Sequence, residues 1–200
     1  LREKEVLLRE IHHRIKNNIS SIEGLLKLQA GAIENIEAKG IINAAVNRVG
    51  SMRRIYDKLL IADEYRELSV SAYLKELVSS VVDIFPKKQG VDINLEIENF
   101  SLDVKRLFLV GTILNELLTN SFKYAFTETD TGCITISMGK KKNKIYLSIK
   151  DNGSGLPEDF DIENTGGFGL RLVKMLIQQL DGTFTIEQNN GTQSIVTFEE

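Results

Sequence analysis

The chain has 200 residues, 42% of them hydrophobic and 26% charged, the composition of a globular protein with one large domain or two small ones. Its formal net charge of −3 argues against general nucleic-acid binding, which needs a basic surface. The single cysteine, Cys133, rules out an intramolecular disulfide, there is no signal peptide, and no apolar run reaches the roughly 18 residues of a membrane span.

The chain opens in mid-pattern at Leu1, already helical, as expected of a piece of something longer. Leu8, Ile11, Ile15, Asn18, Ile22 and Leu25 repeat at alternating spacings of three and four, and Ile19, Leu26 and Ile33 broaden that stripe. Ile42, Ala45, Val49, Met52, Tyr56 and Leu59 form a second such series. Both predict long helices with a packing seam. Turn signals gather between Gly31 and Gly40, where Asn35 is a candidate cap for the second helix. A two-helix hairpin cannot bury so wide a stripe alone. Pairing with a second hairpin would give a four-helix bundle from two chains; packing on the rest of its own chain is the alternative.

From about Leu68 the pattern changes. A helix is predicted over 70–85, ended by Pro86, then a strand over 91–97 and a long helix over 103–125 capped by Ser101 or Asp103. Strands over 133–138 and 145–149 flank a turn at 140–144, a helix covers 168–180, and strands over 183–187 and 194–198 close the chain. Helices and antiparallel strands in this order predict an α+β two-layer sandwich. The lysines at 140, 141, 142 and 144 read as a solvated hairpin tip, and Cys133 as a buried, inert thiol.

Three segments of this second part carry chemistry. In Asn115-Glu-Leu-Leu-Thr-Asn-Ser-Phe-Lys-Tyr-Ala125, the side chains of Glu116, Asn120 and Lys123 recur at helical spacing on one face. Carboxylate, amide and ammonium together can hold a hydrated divalent cation and a phosphate chain, or form a solvated edge. Asp151-Asn-Gly-Ser-Gly155 follows a strand directly, as a ligand-approaching loop or a plain turn. Thr165-Gly-Gly-Phe-Gly-Leu170 runs into a helix, whose first amides can face an anion. It is not a Walker loop, since no Gly-Lys-Ser/Thr follows.

Over about residues 68 to 200, the order of these motifs resembles the ATP-binding (Bergerat, or GHKL) fold. That fold is shared by histidine kinases, gyrase-type and mismatch-repair ATPases and a heat-shock chaperone. The resemblance implies ATP and Mg²⁺ as ligands, with Asn120 binding Mg²⁺, Glu116 reaching it through water, and Asp151 binding adenine. It implies that Lys123 contacts phosphate and that Tyr124 lines the nucleotide site. Gly153, Gly155, Gly167, Gly169 and Leu170 would shape the loops around the nucleotide, and Thr192 would support adenine through water. Glu116 stands where commoner histidine kinases carry asparagine, and the loop between Gly155 and Gly167 is short, so the ATP lid is reduced.

The N-terminal Glu10-Ile-His-His-Arg-Ile-Lys-Asn-Asn18 resembles a phosphoacceptor box of pattern Glu-x-x-His-Arg-x-Lys-Asn. The whole chain thus resembles a sensor histidine kinase of the HisKA_2/HWE-like type. Residues 1–66 would be the dimerisation and phosphotransfer hairpin, and 67–200 the catalytic ATP-binding domain. The match puts the phosphoacceptor at His13. The heptad agrees: with Leu8, Ile11 and Ile15 as a, d and a, His13 falls at the outward f position and His12 at e, bordering the seam. Glu10, on the face of His13, is either the acceptor that orients its ring or an ordinary surface glutamate. Asn17, one turn beyond, sits where related kinases place a water-orienting amide for dephosphorylation. The expected reaction is ATP-dependent phosphorylation of His13, then transfer to an aspartate of a response-regulator receiver domain. The expected partners are a second copy of the chain, that regulator and a sensor domain preceding the hairpin, in a cytoplasmic setting. The rival readings are an ATPase or serine/threonine kinase of the same superfamily and a non-catalytic dimeric scaffold.

Overall fold

The computed structural model describes residues 2–63, 69–83, 90–127, 131–157, 160 and 167–200, with side chains omitted for 2–12 and 58–63. The chain divides into two compact units, Leu1–Arg66 and Glu67–Glu200. Among the described residues no helix is long and apolar enough to cross a membrane.

The first unit is a hairpin of two helices, α1 (Arg2–Ala32) and α2 (Ile36–Asp63). The turn is tighter than the glycine spacing suggests, and Gly31 and Gly40 both lie inside helices. Asn35 caps α2 as its sequence position predicts, its Oδ1 accepting from the Ala38 N–H at 2.9 Å. The broad apolar stripe of α1 splits into two faces. Ile19, Leu26 and Ile33, which only widened the stripe in sequence, are half-buried in line with buried Glu23 and Ala30. The main series points outward: Ile15 is 37% exposed, Ile22 50% and Leu25 63%.

A carboxylate therefore stands in the inner seam of the hairpin. Glu23 Oε1 accepts from Lys27 Nζ at 2.6 Å, and Oε2 from Arg53 Nε of α2 at 2.9 Å. A second ion pair, Lys16 to Asp57 at 2.9 Å, also joins the two helices. The Lys27 hydrogen bond, with help from Arg53, holds the Glu23 carboxyl below its ordinary value of 4.5, against the opposing effect of burial.

The second unit is a five-stranded sheet covered on one face by helices. Its elements are α3 (Val70–Val82), β1 (Gly90–Ile97), α4 (Val104–Asn120), β2 (Thr131–Lys141), β3 (Lys144–Asp151), α5 (Phe168–Gln179), β4 (Thr183–Gln188) and β5 (Thr192–Glu199). The strand order is β1-β2-β3-β5-β4. The expectation of antiparallel strands fails at one edge. β1 runs parallel to β2, in register from Gly90↔Thr131 to Ile97↔Met138, because α4 carries the chain back across between them. The other pairings are antiparallel.

Alternation then sorts the side chains. Ile134, Ile136 and Met138 of β2, Ile145, Leu147 and Ile149 of β3, and Val196 and Phe198 of β5 are buried on one face. α3 packs on β1, α4 on β3, and α5 on β4 and α4. Tyr73 of α3 lies where a Cβ at Gly111 of α4 would collide with its ring, so glycine there lets the helices approach closely.

Two smaller expectations change. Cys133 is not buried: it sits half-exposed on the uncovered sheet face, where Asn94 Nδ2 lies 3.2 Å from its sulfur. The period of two places it opposite in facing to buried Ile134. The predicted helix over 70–85 stops at Val82, and Phe85 and Pro86 lie outside the described residues. The lysine run does form an exposed tip at 141, 142 and 144, whereas Lys140 pairs with Glu200 and lies 4.9 Å from the Phe100 ring centre.

The Glu23 cluster generates a prediction. A carboxyl with a depressed folded-state pKa contributes stability that is present above its unfolded value and is lost as pH falls through the folded value. Urea melts of the helical signal should therefore show stability dropping on acidification from about pH 7 to about pH 3, and Glu23→Gln should flatten that drop. Equal acid dependence in both chains would show that Glu23 contributes nothing to it.

Candidate functional site

The site begins where the β3 alternation puts a carboxylate. Ile145, Leu147, Ile149 and Asp151 form one inward row, and Asp151 is 3% exposed. A buried carboxylate is costly unless donors surround it. Three do, from three distant parts of the chain. Thr192 N–H donates to Oδ1 at 3.0 Å, Gly153 N–H donates to Oδ1 at 3.2 Å, and Ser121 Oγ–H donates to Oδ2 at 3.0 Å. A carboxylate accepts at about four positions, so among the described residues one position, on Oδ2, has no donor.

Close backbone packing delivers these donors. Gly191 has φ +119°, and a Cβ there would strike the Asp151 carbonyl oxygen. Only glycine lets the chain pass over Asp151 and present the next N–H, that of Thr192. Gly153 is pressed against Ala125, whose carbonyl oxygen a Cβ would also strike. Gly155 has φ +79°, turning the loop away beside Gln188. Asn152 anchors the loop to β2: its Oδ1 accepts from Cys133 N–H at 2.7 Å, and its N–H donates to Cys133 O at 3.2 Å.

The helix predicted over 103–125 is α-helical only to Asn120, with Asp103 as its cap; Asp103 Oδ1 accepts from Arg106 N–H at 2.9 Å. Ser121–Ala125 forms a π-helical turn, a wider coil often found at functional positions. The face predicted for Glu116, Asn120 and Lys123 runs from interior to solvent: Glu116 is buried, Asn120 half-buried and Lys123 exposed. Tyr124 is 67% exposed. The turn ends with carbonyls that have no further helical N–H to accept from. Ser154 supplies donors instead, its N–H to Ala125 O at 2.9 Å and its hydroxyl to Tyr124 O at 3.3 Å.

α5 starts at Phe168 with Gly167 as its cap residue, Gly169 buried and Leu170 half-buried. Gly167 has φ −59°, and a Cβ there would meet no atom of the described residues within 4 Å, so their packing does not require glycine at 167. Thr165 and Gly166 lie outside the described residues.

The structure thus joins Asp151, Gly153 and Thr192 by hydrogen bonds and ties them to the end of the helix that carries Asn120. Ser121, which sequence reasoning passed over, is the third donor. The available signal was a small hydroxyl residue immediately after Asn120, at helical spacing from buried Leu117, Leu118 and Ala125. In the first unit His13 and Asn17 are exposed on α1, while the side chains of Glu10 and His12 lie outside the described residues.

A helical layer on one face of a mixed sheet, with a buried acid at a strand end held against the helix behind it, defines an ATPase domain of the histidine kinase and gyrase class. A family model described as "Histidine kinase-, DNA gyrase B-, and HSP90-like ATPase" matches residues 105–200. The HisKA_2 histidine kinase model matches residues 10–85. The chain belongs to the histidine kinases of the HisKA_2 type.

The sensor histidine kinase PdtaS of Mycolicibacterium smegmatis is 31% identical over 96% of this chain and 39% of its own length. Blue-light-activated histidine kinase 2 of Erythrobacter litoralis is 24% identical over 96% of this chain and 56% of its own. The solved histidine kinase domain of Erythrobacter litoralis EL346 shares the fold, with a TM-score of 0.71 at 24% identity over 96% of this chain and 90% of that one. The chain spans about two fifths of the length of PdtaS.

The glycines separate into required and unrequired positions, which a pair of variants tests. Gly153→Ala should destabilise the second unit by about 1 to 3 kcal/mol, because its Cβ meets a backbone carbonyl that cannot move aside. Gly167→Ala should leave the thermal midpoint unchanged. Equal midpoints for the two variants would contradict the packing described at Gly153.

Proposed function

We propose that the chain is the catalytic core of a two-component sensor kinase that phosphorylates itself on His13. The carrying observation is the open acceptor position on buried Asp151, beside the helix end that bears Asn120, in a chain whose α1 exposes His13. Asp151 would accept from the adenine amino group. The Asn120 amide oxygen, with Glu116 one turn back and more deeply set, offers the few hard oxygen donors that suit Mg²⁺ carried by a phosphate chain. Lys123, free to extend from the exposed side of the π-helical turn, would meet phosphate, and Tyr124 beside it would flank the nucleotide. The amides opening α5 at Phe168 and Gly169 would face an anion.

Bound Mg²⁺ neutralises phosphate charge, and the domain contributes chiefly position and electrostatics. A ring nitrogen of His13 attacks the γ-phosphorus, the bond to the β–γ bridging oxygen breaks, ADP leaves, and the ring loses its proton. Glu10, one turn before, is the nearest residue on the chain suited to hold the other ring nitrogen. The phosphoryl group then passes to an aspartate carboxylate of a receiver domain, freeing the imidazole. Asn17, exposed one turn on, would orient water for hydrolysis of the partner's aspartyl phosphate. The outward stripe of Ile15, Ile22 and Leu25 supports a homodimer through the hairpin, since apolar residues of that size at heptad spacing need a partner helix. An N-terminal sensor domain and a cytoplasmic setting belong to the same reading.

Incubation with labelled ATP and Mg²⁺ should give acid-labile, base-stable label that disappears in His13→Ala and persists in His12→Ala. Label lost only in His12→Ala would move the acceptor. Acid-stable label would favour a serine/threonine kinase, and failure to bind nucleotide a scaffold. Mixing His13→Ala chains with Asn120→Ala chains tests the direction of transfer. Neither labels alone, and label in the mixture requires transfer between the two chains of a dimer.

A further inference from the structure

Ser121 has no part in the reading above, yet among the described residues it is the side chain that hydrogen-bonds the buried acid. It is 8% exposed, follows Asn120 directly and opens the π-helical turn. Its backbone N–H points back to the Leu117 and Leu118 carbonyls, while its hydroxyl reaches Asp151 Oδ2 at 3.0 Å. The two backbone donors, Gly153 N–H and Thr192 N–H, both end on Oδ1. They leave Oδ2 to the serine alone. A bond to the second oxygen sets the plane of the carboxylate, and with it the direction of the remaining lone pair. The far end of the same turn is tied to the same loop through Ser154, at Ala125 O and Tyr124 O. The loop from Asp151 to Ser154 therefore grips the turn at both ends, at Ser121 and at the Tyr124 and Ala125 carbonyls, with Lys123 between the grips.

The geometry points to Ser121 as a positioning residue for nucleobase selection: it aims the free lone pair of Asp151 at an exocyclic amino group, so that the site prefers a 6-aminopurine triphosphate. This rests on the reading of Asp151 as the adenine acceptor. Removing the hydroxyl leaves Oδ2 with no protein donor among those described here and its plane set from one side only. Affinity is then lost for ligands that donate to Oδ2 and retained for ligands that do not.

The test compares Mg²⁺–ATP with Mg²⁺–purine riboside triphosphate, which is ATP without its 6-amino group, by titration calorimetry. The unaltered chain should bind ATP on the order of tenfold more tightly than the deaminated analogue. Ser121→Ala should lose about tenfold for ATP and little for the analogue, so the preference collapses. Ser121→Thr, which keeps the hydroxyl, should restore it. Should Ser121→Ala fail to fold, Ser121→Cys, with a similar shape and a weaker donor, should show a reduced preference. A Ser121→Ala chain, or in its place Ser121→Cys, that keeps the full preference overturns the inference alone. An unaltered chain that binds both ligands equally overturns the Asp151 reading and the inference with it. Equal losses for both ligands, as from a merely structural role, also overturn it.

Discussion

A carboxylate occupies the last inward position of β3, where the strand's alternation calls for another apolar side chain, and much of the second unit is arranged around that fact. Asp151 is nearly sealed from water, so donors must come from the protein. They come from residues 121, 153 and 192, which are separated by most of the domain's length. Bringing them together forces Gly153 against Ala125 and Gly191 over Asp151, two contacts that no side chain larger than hydrogen fits. The end of α4 gives way to a wider turn at Ser121, whose terminal carbonyls Ser154 satisfies. Packing and loop conformation around Asp151 thus meet one electrostatic constraint.

The hairpin answers a different constraint. Two helices with three to four apolar residues per two turns have more apolar surface than one seam can hide. Residues 19, 26, 30 and 33 turn toward α2, and the stripe through 15, 22 and 25 is left outward. The inner seam carries Glu23, held by one cation from its own helix and one from the other. The attraction of the two cations outweighs the desolvation of the Glu23 carboxyl, and the pair across the seam also fixes relative position. The fit between Glu23 and Arg53 thus favours one register between α1 and α2. That register matters in a helix pair whose outer face exposes His13.

The degree to which each element could be read from sequence followed the range of the forces involved. β3 and β5 were legible because the period of two is written along each strand, and α5 because glycines precede a tightly periodic run. The Asn35 cap was legible because its hydrogen bond spans three residues. The parallel pairing of β1 was not, since strand direction depends on how α4 crosses the sheet. The exposure of Cys133 was misread for the same reason: a strand's two faces are evident in sequence, but which of them the helices cover is not. Ser121 was passed over because serine in a helix is ordinarily silent, and its meaning lies in an acid 30 residues away.

What the amino-acid order determined by itself is local: two long amphipathic helices, the strands and helices of the second unit, and the short motifs at Asp151, Asn120 and His13 whose spacing resembles that of a kinase. These follow from hydrophobic period, capping and glycine placement, which act over a turn or two. Tertiary structure alone decided which apolar stripe closes the hairpin and which faces out, where α4 gives way to a wider turn, and that a serine, a glycine and a threonine far apart in the chain converge on one carboxylate. Such outcomes depend on which groups share the interior. A buried charge must be matched wherever the fold happens to bring donors within about 3 Å.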